Sequence, residues 1–345
     1  RGLGEQKGFK GAKILAWCFG LSFILAAFSG NQVFTIAEAL NTTFNIPMIP
    51  FACVYSLFVF YITWKGTPRI AKFASKLVPF MCLIYFSGAI ILIAVNYRAL
   101  PGVIQAVIHD AFSGSAAMGG FVGAGVMTVI RTGIARSINS NEAGQGSSPM
   151  IHAAANTSHP VEQGLWGAIE VFVSTVLVSA VTALAILSSG TWTSGLTSVT
   201  LTITAFQSVF GKIGLYFIGF IALLFGITTT TGWFTYYCSL IAHGFRNNEK
   251  LRDKLILIFK IIFPWPNIIV VAAIVLSGKG PNLYWAMIDV ITVLPTFFNV
   301  IAIICLSGVF IKLLNDYKAR YLGIGKVDPS FKVFYEDEQQ DTSEK

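Results

Sequence analysis

Ser140-Asn141-Glu142-Ala143-Gly144-Gln145-Gly146-Ser147-Ser148-Pro149, with His159-Pro160-Val161-Glu162-Gln163-Gly164-Leu165 close behind, is a dense polar island in an otherwise oily chain of 345 residues. Glycine, proline and asparagine at this density build tight turns between helices. A turn alone does not need the acid, the amides and the two histidines His152 and His159 that accompany it. The surroundings of the island identify the medium the chain lives in.

Charged residues make up 12% of the chain and apolar residues 54%, and the mean hydropathy is +0.70. An average soluble domain carries about 25% charged residues, so these charges are too few to cover a water-facing surface. The 29 Phe and 7 Trp fit a lipid-facing surface, and no segment reads as a cleavable signal peptide. Cys18, Cys53, Cys82, Cys238 and Cys305 all lie in apolar runs, as small packing residues do, and not in a disulfide or metal-site spacing.

A bilayer core of about 30 Å needs about 20 apolar residues in a helix. Eight such spans are predicted: Ile14 to Ala37, Pro50 to Trp64, Leu77 to Val95, Ala111 to Val129, Leu165 to Leu187, Ile213 to Ala242, Leu255 to Leu276 and Leu283 to Leu313. If they alternate across the membrane, 21 of the 24 Lys and Arg fall on one side, leaving Arg98, Lys212 and Lys279 on the other. That asymmetry places both chain ends in the cytoplasm, and it accounts for the net charge of +8 without a nucleic-acid partner. The expected organisation is a stub at 1–13, a transmembrane bundle at 14–314 and a cytoplasmic tail at 315–345, whose acidic stretch Glu336 to Asp341 reads as solvated and disordered. Trp17, Trp64, Trp166, Trp192, Trp265 and Trp285 fall near predicted span ends, where amphipathic rings prefer to sit. Trp233 lies well inside the sixth span, which points to a cavity or a buried contact.

The two linked polar motifs resemble the signature of the alanine/glycine:cation symporter family, a Ser-Asn-Glu-Ala-Gly-x-Gly-Ser-x-Pro segment followed by His-Pro-Val-x-Gln-Gly-Leu. The resemblance covers almost the entire chain. It implies an all-α integral membrane protein with a partial inverted-repeat amino-acid-transporter (sodium symporter) fold, about eight transmembrane helices of which are present. It also implies sodium-coupled symport of a small neutral amino acid such as alanine or glycine across the plasma membrane, with Na⁺ (or H⁺) as the coupling ion and no organic cofactor. The opening Arg1-Gly2-Leu3-Gly4 resembles the segment just after a Gly-Gly-Pro-Met-Tyr-Tyr-Ile motif in the family, so amino-terminal truncation is expected, with about three helices upstream.

Transporters of this fold bind substrate where helices are interrupted. Gly119-Gly120-Phe121-Val122-Gly123-Ala124-Gly125 is the predicted interruption, because each Gly weakens a helix by about 1 kcal/mol relative to Ala. Gly119, Gly120 and Gly123 are therefore substrate-site candidates, with close helix packing through small residues as the alternative. Gln32, which aligns with a family Gln-x-Asn-Ser segment reading Gln32-Val33-Phe34-Thr35 here, and Trp233 are the other two. By the same resemblance, Thr228, Thr229 and the carbonyl of Phe225 match a sodium site of hard, uncharged oxygens; bonding of the Thr hydroxyls to their own helix is the alternative. Asn141, Glu142 and Arg136 (or Arg131) are candidates for an intracellular gate. Asp289 matches a family acid in Trp285 to Asp289, and reads equally as a paired acid that stabilises the bundle. Ser174 stands where the family pattern has an acid. Two other readings stay open: a membrane-embedded enzyme using Glu142, His152 and His159 as an acid-base or metal set, and an inactive fragment. Nothing in the pattern specifies an oligomeric state.

Overall fold

In a computed structural model, which describes residues 8–113, 122–153, 155–278, 282–331 and 333, the chain is helical throughout with no strand among the described residues. Fourteen α-helices are present among those residues, in the order α1 (Ala12–Ala26), α2 (Asn31–Phe44), α3 (Met48–Trp64), α4 (Thr67–Val95), α5 (Leu100–Ser113), α6 (Val122–Asn141), α7 (Ser148–His152), α8 (Pro160–Val171), α9 (Ser179–Ser188), α10 (Ser198–Phe210), α11 (Lys212–Gly244), α12 (Glu249–Ile262), α13 (Pro266–Ser277) and α14 (Asn282–Leu322). Six stretches of the described residues are long and apolar enough to cross a membrane, and α3 and α10 are shorter apolar helices.

Seven of the eight expected spans correspond to these helices. The fourth, Ala111 to Val129, straddles residues outside those described and has α5 and α6 on its two sides. α14 continues past residue 314 to Leu322, so the expected bundle boundary falls inside a helix. The acidic tail also lies outside the described residues.

α11 is the axis of the molecule. At 33 residues it is about 50 Å long, and α2, α4 and α10 pack along it while α1 packs on α14 and α3 on α13. One core, with Phe23, Val33, Ile36, Tyr55, Phe234, Tyr237 and Phe263 at its heart, joins α1, α2, α3, α11, α12 and α13. A second, with Met81, Tyr85, Ala89, Ile203 and Phe206, joins α4, α9 and α10 to the first half of α11. The backbones of α2 and α11 can approach closely because Gly219 has no side chain: a Cβ there would sit 2.6 Å from Thr43 Oγ1 and 2.9 Å from Thr43 Cβ.

The first expected span is broken. α1 stops at Ala26 and α2 begins at Asn31, with Gly30 between them in the left-handed region at φ 61°. The freed Ser29 carbonyl accepts a 2.9 Å hydrogen bond from the Tyr284 hydroxyl of α14. A second irregularity lies between α8 and α9, where Phe172–Val178 forms a π-helix. π-Turns inside α-helices cluster at functional sites.

Candidate functional site

The break between α1 and α2 opens onto a cavity of about 220 Å³. Ser29, Gly30, Asn31, Gln32 and Thr35 line it from the break, Thr230, Trp233 and Tyr237 from α11, Asn267 from α13, Trp285 and Thr292 from α14, Arg136 from α6 and Glu142 from the signature segment. Polar groups from separate parts of the chain thus converge in a membrane helix bundle, where unsatisfied polar atoms are costly.

The first turn of α2 faces this space. No side chain caps it from Gly30, and Asn31 Oδ1 accepts from the Gln32 N–H at 2.9 Å. A helix start carries roughly +0.5 charge. Tyr237 is 1% exposed, lines the same cavity, and its hydroxyl has no hydrogen-bond partner. A helix start with only one first-turn N–H met by a side chain suits an anionic group such as a carboxylate, and an unpaired buried hydroxyl lines the same cavity.

Several residues of the signature shape the turn that carries Glu142. Asn141 closes α6, its Oδ1 accepting from Ala143 N–H at 3.0 Å and its Nδ2 donating to Ser137 O at 2.9 Å. Glu142 adopts φ 57°, unusual for a side-chain-bearing residue. Its Oε1 accepts from Trp233 Nε1 at 3.0 Å and its Oε2 from Ser147 Oγ at 2.8 Å. Gly146 sits at φ 89°, where a Cβ would lie 2.9 Å from Asn299 and Phe19. Asn299 in turn donates to Ala143 O at 3.1 Å and Gly144 O at 2.9 Å. Trp233 stacks on Phe23 with ring centroids 5.5 Å apart, so both the cavity and the buried contact expected of it are present.

Arg136 pairs with Asp289 at 3.1 Å, not with Glu142 as the gate reading expected, and its guanidinium lies 5.5 Å from the centre of the Trp285 ring. The reason is geometric: Glu142, just past the end of α6, bonds Trp233 of α11, while Arg136, six residues earlier on α6, reaches Asp289 of α14. Among the other substrate-site candidates, Gln32 lines the cavity, but from the start of α2 and not from mid-helix. Gly119 and Gly120 lie outside the described residues, and Gly123 is in the first turn of α6.

The expected sodium ligands sit away from the cavity. Thr228 Oγ1 donates within its own helix, to Leu224 O at 3.0 Å and Phe225 O at 2.9 Å, and it touches Met81 of α4. Thr229 lines no part of the cavity; Thr230 does, its hydroxyl 2.9 Å from Tyr55 OH. Four consecutive threonines point around the helix in 100° steps, so only one of them faces the space.

The enzyme reading needs Glu142, His152 and His159 together, and the structure separates them. His152 bonds Glu170 through Nε2 at 2.8 Å and Gln163 through Nδ1 at 2.6 Å. His159 is 1% exposed and caps α8, its Nδ1 accepting from Val161 N–H at 3.2 Å. Its Nε2 lies 3.4 Å from Asp316, which is held at 2.7 Å by Arg320. The second motif is thereby fastened to the far end of α14. Among the described residues no three His, Cys, Asp or Glu side chains gather as a metal site.

Sequence reasoning missed the break at Gly30, and with it Asn31, Thr35, Tyr237 and Asn267. The signal was Ser29-Gly30-Asn31, a turn-forming run in the middle of an apolar span. Tyr237 and Asn267 carried none, because their places on the cavity wall follow from the packing of α11 on α2 and, after the turn between α12 and α13, of α13 on α2 and α3.

A helical bundle with multiple membrane-crossing helices, interrupted around a polar cavity, is the architecture of a multi-pass membrane transporter. The family model described as the sodium:alanine symporter family matches residues 1–332. The chain belongs to that family, whose members are transporters and not enzymes. It is 35% identical over 323 residues to an uncharacterized transporter of Haemophilus influenzae, an alignment that covers 90% of this chain and 67% of the relative. It is 34% identical to the probable sodium/glutamine symporter GlnT of Bacillus subtilis, over 97% of this chain and 66% of that one. It is 30% identical to the sodium/proton-dependent alanine carrier protein of a Bacillus species, over 88% and 68%. The chain thus spans about two thirds of the length of these curated relatives.

Proposed function

We propose that this protein couples entry of a cation to uptake of a small neutral amino acid, with the zwitterion bound in the cavity at the α1–α2 break. The observation that carries this reading is the opposed polarity of the cavity walls. The α2 start on one wall suits a carboxylate, and Glu142, held by Trp233 of α11 and by Ser147 on the other, suits an ammonium group. Alanine is the favoured substrate because the alanine carrier relative and the family description agree on it. Glutamine is the nearest competitor, since another relative carries that name.

Na⁺ is the favoured coupling ion. The family description and the names of two relatives specify sodium; for Thr228 and the Phe225 carbonyl to hold the ion, the Thr228 hydroxyl gives up its hydrogen bonds to Leu224 O and Phe225 O. One charge moving through 100 mV releases about 2.3 kcal/mol, which supports roughly fiftyfold accumulation. H⁺ is the second reading, favoured by the Glu142 carboxylate on the cavity wall. Arg136 and Asp289 form the gate in this proposal, and the plasma membrane is its site of action.

Counterflow of labelled alanine into liposomes, with Na⁺ replaced by choline, tests the whole reading. Uptake is expected to need Na⁺ and to resist competition by glutamine. The E142Q variant, which loses one of two charge-assisted acceptors worth about 1.5–3 kcal/mol each, is expected to transport at least about tenfold less. Uptake unchanged in choline removes sodium coupling, and uptake unchanged in E142Q removes the assigned cavity.

A further inference from the structure

Three cations from three elements converge where α3 turns into α4. Lys65 ends α3, Arg69 opens α4, and Lys260 reaches over from α12, its ammonium 3.8 Å from where a Gly66 Cβ would stand. The Arg69 guanidinium lies 4.6 Å from the centre of the Tyr61 ring, and the Tyr61 hydroxyl is in reach of Arg69 and in the field of Lys65. Among the described residues no carboxylate answers this charge: Glu249 and Asp253, the acids of α12, both pair with Arg252. The Arg69 Nη1 group is buried without any hydrogen-bond partner. A buried guanidinium N–H without an acceptor is costly, and its planar fork matches the oxygens of a phosphate.

The surface beside the cluster is apolar and open. Leu57, Tyr61 and Trp64 of α3 and Ile258 and Ile261 of α12 are all exposed. Lys72 and Lys76 continue the positive stripe from Arg69 along one face of α4. A ligand that fits both parts carries a phosphate at one end and hydrocarbon at the other.

We propose that the α3–α4 turn and Lys260 form a binding site for the phosphate of an anionic lipid headgroup, with the acyl chains lying along α3 and α12. The site does not depend on the transport assignment, because it shares no residue with the cavity. A juxtamembrane cation contributes to anionic lipid binding by about fivefold per charge.

Native mass spectrometry of the full chain, purified in detergent and offered equal phosphatidylglycerol and phosphatidylcholine, is the test. Preferential retention of phosphatidylglycerol is expected. It should fall about fivefold in K260Q and by about a hundredfold in the triple variant K65Q/R69Q/K260Q, while K250Q/K254Q/K312Q, which removes equal charge elsewhere, keeps it. A triple variant that retains the preference overturns the site, as does an equal loss in the charge-matched control, which would reveal only a diffuse potential. Displacement of the lipid by inorganic phosphate would assign the cluster to a soluble anion and overturn the lipid. Size-exclusion profiles separate misfolded variants, and K260Q, at a half-buried but non-core position, keeps the question answerable if the triple variant misfolds.

Discussion

At the residue scale, the pair Arg136 and Asp289 has the sharpest consequence. Asp289 Oδ1 is buried without a partner, so its charge depends on the single 3.1 Å contact to Arg136 through Oδ2. Removing one member of a partly desolvated pair strands the other. R136D and D289R alone are each expected to lower alanine uptake about tenfold or more, and the R136D/D289R double variant to recover a substantial part of it. A double variant no better than either single one sinks the pairing as a functional gate. The neighbouring Glu142 shows how the signature works chemically. Asn141, Ser147 and Gly146 supply its backbone turn and one of its two donors, so the motif is a support for one carboxylate rather than a connection between helices.

At the element scale, the contact of α2 with α11 decides whether the cavity exists, because α2 carries one wall and α11 the opposite one. Gly219 is one of the points where the two helices come close. In G219A the new Cβ would meet Thr43 Oγ1, Cγ2 and Cβ all within 3 Å, and since Cβ is fixed to the backbone the helices must separate. Overpacking of this kind costs about 1–3 kcal/mol. A lower melting temperature in detergent is expected, together with weaker alanine binding; an unchanged melting temperature would show that the two helices are not packed as described. The π-helix at Phe172–Val178 is the other element-scale feature. It leaves the Ser174 carbonyl to accept from Ser179 Oγ at 3.1 Å and Ser140 Oγ at 3.4 Å. At the position where the family pattern has an acid, this chain thus offers a backbone oxygen that ties the signature helix α6 to the α8–α9 span.

At the scale of the whole molecule, the distribution of charge makes a prediction about orientation. With 21 of 24 Lys and Arg on one predicted side, both chain ends are expected in the cytoplasm. A reporter that fluoresces only in the cytoplasm, fused after Lys345, should be bright, and one inserted at Gly195 in the α9–α10 connection should be dark. The reverse pattern would overturn the topology and, with it, the side assigned to the signature segment.

The membrane character, the helical class and the family were legible in the sequence, because hydropathy, charge asymmetry and motif spacing are local properties. Trp233 could be singled out for the same reason, as an amphipathic ring in an apolar span. Which polar groups meet was not legible. Gly30 breaks a helix that average hydropathy reads as continuous, Arg136 finds Asp289 across 153 positions of sequence, and His159 reaches Asp316 across 157. Such partners are chosen by the packing of α2, α11 and α14 around one another, and an apolar pattern fixes which face of a helix is buried without fixing what lies opposite it.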